Sequence, residues 1–294
     1  QRLSLVIDNW GTRRARTPLT SPLRAVLAAR LRQHLGFAVE QWQPVDAQGV
    51  HASTPVILSG RAASGEPCRY FVKIVSQQNW QTSLVYELRR WLRHRGRLRS
   101  GPIWPTLKSL VEYEHYMLLL FHDLGVPAPR PRGVYRLERG VYALVSDYLE
   151  GVRTLREAGR ISAGYVSQAL RALRRLRQAD CAHGDIKASN LVLLPGDSFA
   201  FVDLARAEYV AGPQRLARDL ADLLVVLAMH HGPAAVIAAA RDIIGPKGLR
   251  RAGACLHHHL INDETQRMLP PGLLAELREI ISRETPNVKR DRRT

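Results

Sequence analysis

The stretch HGDIKASN, residues 183–190, followed by FVDLA at 201–205, holds the residue types that metal-assisted phosphoryl transfer needs. A triphosphate and the phosphoryl group leaving it concentrate negative charge, which a protein handles with divalent metal and positioned donors. Asp203 is suited to chelating Mg²⁺, and Asn190 to holding a second ion through its neutral carbonyl oxygen. Asp185 is suited to orienting an attacking hydroxyl and accepting its proton. Lys187, two residues on, carries charge that would reach a transferring phosphate. His183 would tie the loop to the later aspartate, and Gly184 would allow a tight backbone path. Taken singly, each of these is an ordinary turn residue.

Hydrophobic periodicity supplies the elements that must position them. A basic helix is expected near residues 20–35, then strands near 38–45, 55–61 and 68–75, with a turn at ASGEP. Residues 80–98 read as an arginine-rich helical insertion, and another helix follows Pro105. Strands near 133–137 and 141–147 come next. In SAGYVSQALRALRRLRQAD, the residues Val166, Ala169, Leu170, Leu173 and Leu176 share one face, as a core helix requires. That helix leads into the 183–190 loop. LVLL and FAFV form two short strands around a PGD turn and present Asp203. Everything after about 213 reads as helical, with breaks at Gly232-Pro233 and Gly245-Pro246 and a last helix near 272–283.

With these parts in order, the chain resembles the protein-kinase-like superfamily, and HGD points to its aminoglycoside-phosphotransferase-like and other atypical branches. The resemblance covers about residues 40–230. It implies an α+β two-lobe fold: a small antiparallel-sheet N-lobe with a glutamate-bearing helix, and a mainly helical C-lobe. It implies ATP and Mg²⁺ as cofactors. Lys73, in the apolar run RYFVKIV, would contact the α- and β-phosphates. Its helix partner would be Glu112 or Glu114 in VEYEHYMLLLFHDLGVPAPRP; the distance to the GVPAPR turn favours Glu114. The backbone of Asp147, Tyr148, Leu149 and Glu150 would hydrogen-bond adenine as a hinge. Asp219, in RLARDLADLL, would brace the catalytic loop, or else is an exposed helix carboxylate paired with Arg215 or Arg218.

The chain also departs from the pattern. DAQGVHASTP carries one glycine, so covering of phosphates would fall to Gly49, Ala52 and Ser53 without a glycine-rich fingerprint. Only about ten residues follow Asp203 before the next helix, around Arg215, with no APE-like segment, too little for a peptide-docking activation segment. The expectation is therefore an atypical kinase phosphorylating a hydroxyl of a small-molecule, lipid or other atypical acceptor. The alternative is a pseudokinase acting as a nucleotide-binding or regulatory module at a membrane.

At 294 residues and 46% hydrophobic, the chain has enough apolar content for a core in each lobe. The domain reading is a basic helical extension at 1–37, N-lobe and hinge at 38–150, helical C-lobe at 151–285 and a basic tail at 286–294. Cys68, Cys181 and Cys255 are far apart in sequence, which argues against a disulfide framework. Cys255 with His257, His258 and His259 is a poor zinc set, because adjacent histidines on a helix diverge. His230 and His231, before Gly232, read as capping a helix C-terminus. LADLLVVLAM, 220–229, is too short to cross a bilayer, contains Asp222, and reads as a buried helix.

The formal net charge of +17 is extreme for a small-molecule kinase. It is densest in RRWLRHRGRLR, 89–99, with KRDRR at 289–293. The reading is either a solvated surface or attraction to anions such as an acidic phospholipid face; nucleic acid is the weakest partner, since no recognition motif accompanies the charge. The order of segments also resembles kinase-like domains fused to polytopic membrane proteins of the lysylphosphatidylglycerol-synthase-like group, through RDLADLLVVLA, GPKGL and PGLLAELREI. No secretory signal appears, and Gln1 in place of methionine is what a trimmed chain or excised domain would show. A cytoplasmic location, at or near the inner membrane face, is expected.

Overall fold

The structure is a computed structural model that describes residues 19–45, 53–77 and 104–286. The described chain divides into two units. Residues up to Tyr116 form the first together with Arg130–Tyr148, and the second holds Met117–Pro129 and everything from Leu149. Gly49, Ala52, the 80–98 insertion and the 289–293 basic run lie outside the described residues, as does all but the first residue of the 286–294 tail.

The first unit is built on a five-stranded antiparallel sheet of β1 (Ala38–Pro44), β2 (Ser53–Arg61), β3 (Pro67–Ser76), β4 (Pro131–Glu138) and β5 (Val141–Asp147). Its spatial order is β1-β2-β3-β5-β4. Alternation along β3 sorts its side chains: Tyr70, Val72 and Ile74 enter an apolar cluster with Val56, Leu58, Ala143 and Val145, while Lys73 belongs to the other set. Helix α1 (Ser21–Leu35) closes that cluster with Leu23, Leu27 and Leu31, an i, i+4, i+8 stripe on an otherwise polar helix. Gly36 ends α1 in the left-handed conformation, its N–H donating to the Arg32 carbonyl and that of Phe37 to Leu31. Helix α2 (Leu107–Asp123) starts in this unit and ends in the other.

The second unit is mainly helical. Helix α3 (Ala163–Gln178) buries the expected Val166, Ala169, Leu170, Leu173 and Leu176, with Tyr165 and Ala172 beside them, and Ser162 caps it by accepting from the Tyr165 N–H. Helix α4 (Pro213–His231) is buried from Leu216 almost continuously to Ala228, as the reading of 220–229 anticipates. Helices α5 (Pro233–Ile244), α6 (Pro246–Gly253), α7 (Asp263–Met268) and α8 (Leu273–Glu284) follow, with breaks at Gly232 and Gly245. A three-stranded sheet of β6 (Arg153–Thr154), β7 (Leu191–Leu194) and β8 (Ser198–Phe201) carries the segments before and after the 183–190 loop. The two-residue β6 escapes sequence reading because so short a strand has no period. The described chain is thus of mixed α+β class, with an antiparallel five-stranded sheet in the first unit and a mainly helical second unit. Among the described residues, no helix is long and apolar enough to cross a membrane.

His230 and His231 require a correction. Their imidazoles do not cap α4; the Nδ1 atoms pair at 2.8 Å with the carbonyls of Gly159 and Ile161, clasping the segment that precedes α3. Local sequence shows two histidines at a helix end, whereas their partners lie about seventy positions away.

Candidate active site

The loop between α3 and β7 has a backbone path that only particular residues permit. Gly184 sits at φ 77°, and a Cβ there would lie 2.2 Å from the Arg206 carbonyl oxygen and 2.4 Å from an Arg215 guanidinium nitrogen. Left-handed backbone and lack of space both demand glycine. Gly184→Ala is expected to destabilise the protein by about 3 kcal/mol, because the backbone contact has no soft side chain to give way. Denaturant unfolding measures the effect; a loss under about 1 kcal/mol would refute it.

Asp219 on α4 braces this path. Its carboxylate accepts the His183 N–H at 2.6 Å and the Gly184 N–H at 3.1 Å, and it is almost fully buried. This is the brace; the exposed carboxylate is ruled out by its burial. His183 is itself buried beside Phe121 and Phe201. Its Nε2 faces the Val202 carbonyl at 3.2 Å and its Nδ1 accepts the Asp185 N–H at 3.3 Å. These partners define a neutral ring protonated on Nε2. Burial lowers its pKa, against the raising influence of Asp219, Asp185 and Asp203.

Asp185 is 8% exposed, and both its oxygens are engaged. Oδ2 takes the Lys187 ammonium at 2.7 Å and the Asn190 amide at 3.2 Å; the same Asn190 amide reaches the Asp185 carbonyl at 2.9 Å. Oδ1 takes the side-chain amide of Asn262 at 2.8 Å. Burial pushes the Asp185 carboxyl up, but Lys187 and Arg206 together outweigh it and hold the group below the ordinary carboxylate range. Burial likewise lowers Lys187, and Asp185, Asp203 and Glu264 reverse this, so its pKa is raised. Carboxylate and ammonium thus favour each other's charged form.

The residues proposed to hold metal suit Mg²⁺. Asn190 turns its NH₂ to Asp185, so the amide oxygen is the atom it could offer to a metal. Asp203 is exposed and sits at φ 62°, a left-handed conformation uncommon outside glycine but one that aspartate adopts more readily than most residues, just past the end of β8. The Val202 N–H donates to the Asn190 carbonyl at 3.0 Å, tying the two segments by backbone. Among the described residues, no group of three or more His, Cys, Asp or Glu is placed to hold a metal. One carboxylate and one amide suit an ion that completes its shell with phosphate oxygens and water.

In the first unit, Lys73 binds Glu114 through both carboxylate oxygens, at 2.8 and 3.1 Å. Glu114 is buried, while Glu112 is exposed and pairs with Lys108 one turn away at 3.4 Å. Ser53 opens β2, buried and opposite Val75. At the end of β5, the Asp147 N–H donates to the Arg130 carbonyl and the Tyr148 N–H to that of Arg69. The Asp147 carboxylate is held by Arg132 at 2.5 and 2.8 Å, and Arg69 lies over the Tyr148 ring. Within the expected 147–150 hinge, these two N–H groups are therefore already committed. Leu149 and Glu150 begin the second unit.

No known protein family matches the chain, and no curated protein matches it in sequence. Solved structures do match. One is the kinase PK-1 of the Cydia pomonella granulovirus, at TM-score 0.39 and 12% identity, over 63% of this chain and 57% of that one. The likeness is too slight to inform the site, whose chemistry follows from the hydrogen bonds and charges around Asp185.

Proposed function

We propose that the chain is an ATP- and Mg²⁺-dependent phosphotransferase that moves the γ-phosphoryl group to a hydroxyl of a small-molecule, lipid or other atypical acceptor. The observation that carries this is the Asp185 carboxylate, kept ionised beside Lys187 and Asn190 on a loop braced by Asp219. A general base needs such a fixed, charged carboxylate. In the transfer, the bond from the γ-phosphorus to the β,γ-bridging oxygen breaks, the acceptor oxygen bonds to phosphorus, and the hydroxyl proton passes to Asp185. Lys187 supplies positive charge beside that oxygen. In the first unit, Lys73, oriented by Glu114, is the phosphate-binding cation. Mg²⁺, when bound by Asp203 and Asn190, would neutralise the charge of the phosphates. The short stretch 204–212 favours a compact acceptor over a peptide.

A second reading, a pseudokinase, draws on the single glycine of the 46–55 stretch. The two differ in turnover. With MgATP and water as the acceptor, the wild type is expected to release phosphate at a rate abolished by EDTA. Nucleotide binding with no metal-dependent hydrolysis would favour the pseudokinase.

A further inference from the structure

We infer that Asn262 is a positioning residue of the active site, which fixes Asp185 so that a single acceptor position on Oδ1 faces the incoming hydroxyl. The inference rests on the phosphotransferase reading and extends it to a part of the chain far from the catalytic loop. A carboxylate has about four acceptor positions, two on each oxygen. Lys187 and Asn190 fill both on Oδ2. Asn262 fills one on Oδ1, at 2.8 Å. Proton acceptance then falls to the remaining position on Oδ1, whose direction is set by where Asn262 stands.

The geometry also fixes which way the Asn262 amide points. Asn262 is the N-cap of α7, and its Oδ1 accepts the Glu264 N–H at 2.9 Å. With the oxygen committed to the cap, the NH₂ must be the end that meets Asp185. The opposite orientation would lose the cap and set an oxygen against a carboxylate. The same turn is anchored a second time on the catalytic loop, where the Glu264 carboxylate accepts the Ser189 N–H at 3.1 Å and the Ser189 hydroxyl at 2.8 Å. Three hydrogen bonds thus join Asn262 and Glu264 to residues 75–77 positions earlier in the chain. A cap alone requires none of them.

Two substitutions separate positioning from capping. Serine and aspartate both cap helices well, so Asn262→Ser and Asn262→Asp keep the bond to the Glu264 N–H. Serine is too short to reach Asp185, and aspartate places a like charge against it. With MgATP and water as the acceptor, Asn262→Ser is expected to turn over about tenfold more slowly, with KM for MgATP within about twofold of wild type. Asn262→Asp is expected to lose about a hundredfold. Asn262→Ser should melt close to the wild type, whereas Asn262→Asp, with a like charge beside a buried carboxylate, should melt lower. Wild-type turnover in a folded Asn262→Ser protein overturns the inference. So does a loss confined to melting temperature or shared equally between kcat and KM, because a purely structural clamp gives that result. A wild type that hydrolyses no ATP refutes the phosphotransferase reading itself, and is told apart by failing before any substitution is made.

Discussion

Asp219→Ala is expected to destabilise the protein by about 3–5 kcal/mol, since it leaves the buried N–H groups of His183 and Gly184 without acceptors. Each orphaned buried donor costs about 1–3 kcal/mol, and a hydrogen bond to an ionised carboxylate is stronger than one between neutral groups. Burial limits compensation by water, which would need room and further polar partners. Asp219→Asn should fall between wild type and alanine, because its single oxygen serves one N–H while its NH₂ opposes the other. Urea unfolding of the three proteins gives the order. A loss under about 1 kcal/mol for alanine would mean that the loop path is held by other groups.

The second large effect concerns turnover. Asp185→Ala is expected to lower MgATP turnover by about 10²–10⁴-fold while leaving nucleotide affinity nearly unchanged, the signature of a base used only in the chemical step. The substitution also strips Lys187 and Asn262 of their shared partner. Some of the loss therefore reports a disordered loop, and the effect of Asn262→Ser on the intact carboxylate separates that contribution. Turnover within tenfold of wild type would remove Asp185 from the chemistry.

The parts legible in the sequence are those whose information is local or periodic. Alternation in RYFVKIV places Lys73 opposite Tyr70, Val72 and Ile74, whereas its glutamate partner on α2 is asked for by the resemblance to kinase-like proteins and not by any period. In that pattern the distance from the GVPAPR turn favours Glu114, and Glu114 does bind Lys73 while Glu112 is exposed and pairs with Lys108. The 183–190 loop is legible because its residue types sit within one turn of chain. Asn262 and Glu264 are not. In sequence they are an ordinary cap and first-turn acid, Asn-Asp-Glu before a six-residue helix, and nothing local says that the cap faces Asp185. Asp147 shows the same limit at the end of β5, where a backbone reading misses a carboxylate held by Arg132 from the neighbouring strand. The paired histidines at the end of α4 fail likewise, for their acceptors belong to a distant segment.

The central claim is that Asp203 and Asn190 hold metal for a bound nucleotide, and calorimetric titration of the whole chain with ATP tests it most directly. The account predicts saturable binding with Mg²⁺ present, marked weakening with EDTA, and the same weakening in Asp203→Ala when Mg²⁺ is restored. No binding of ATP by the wild type under any divalent ion would contradict it.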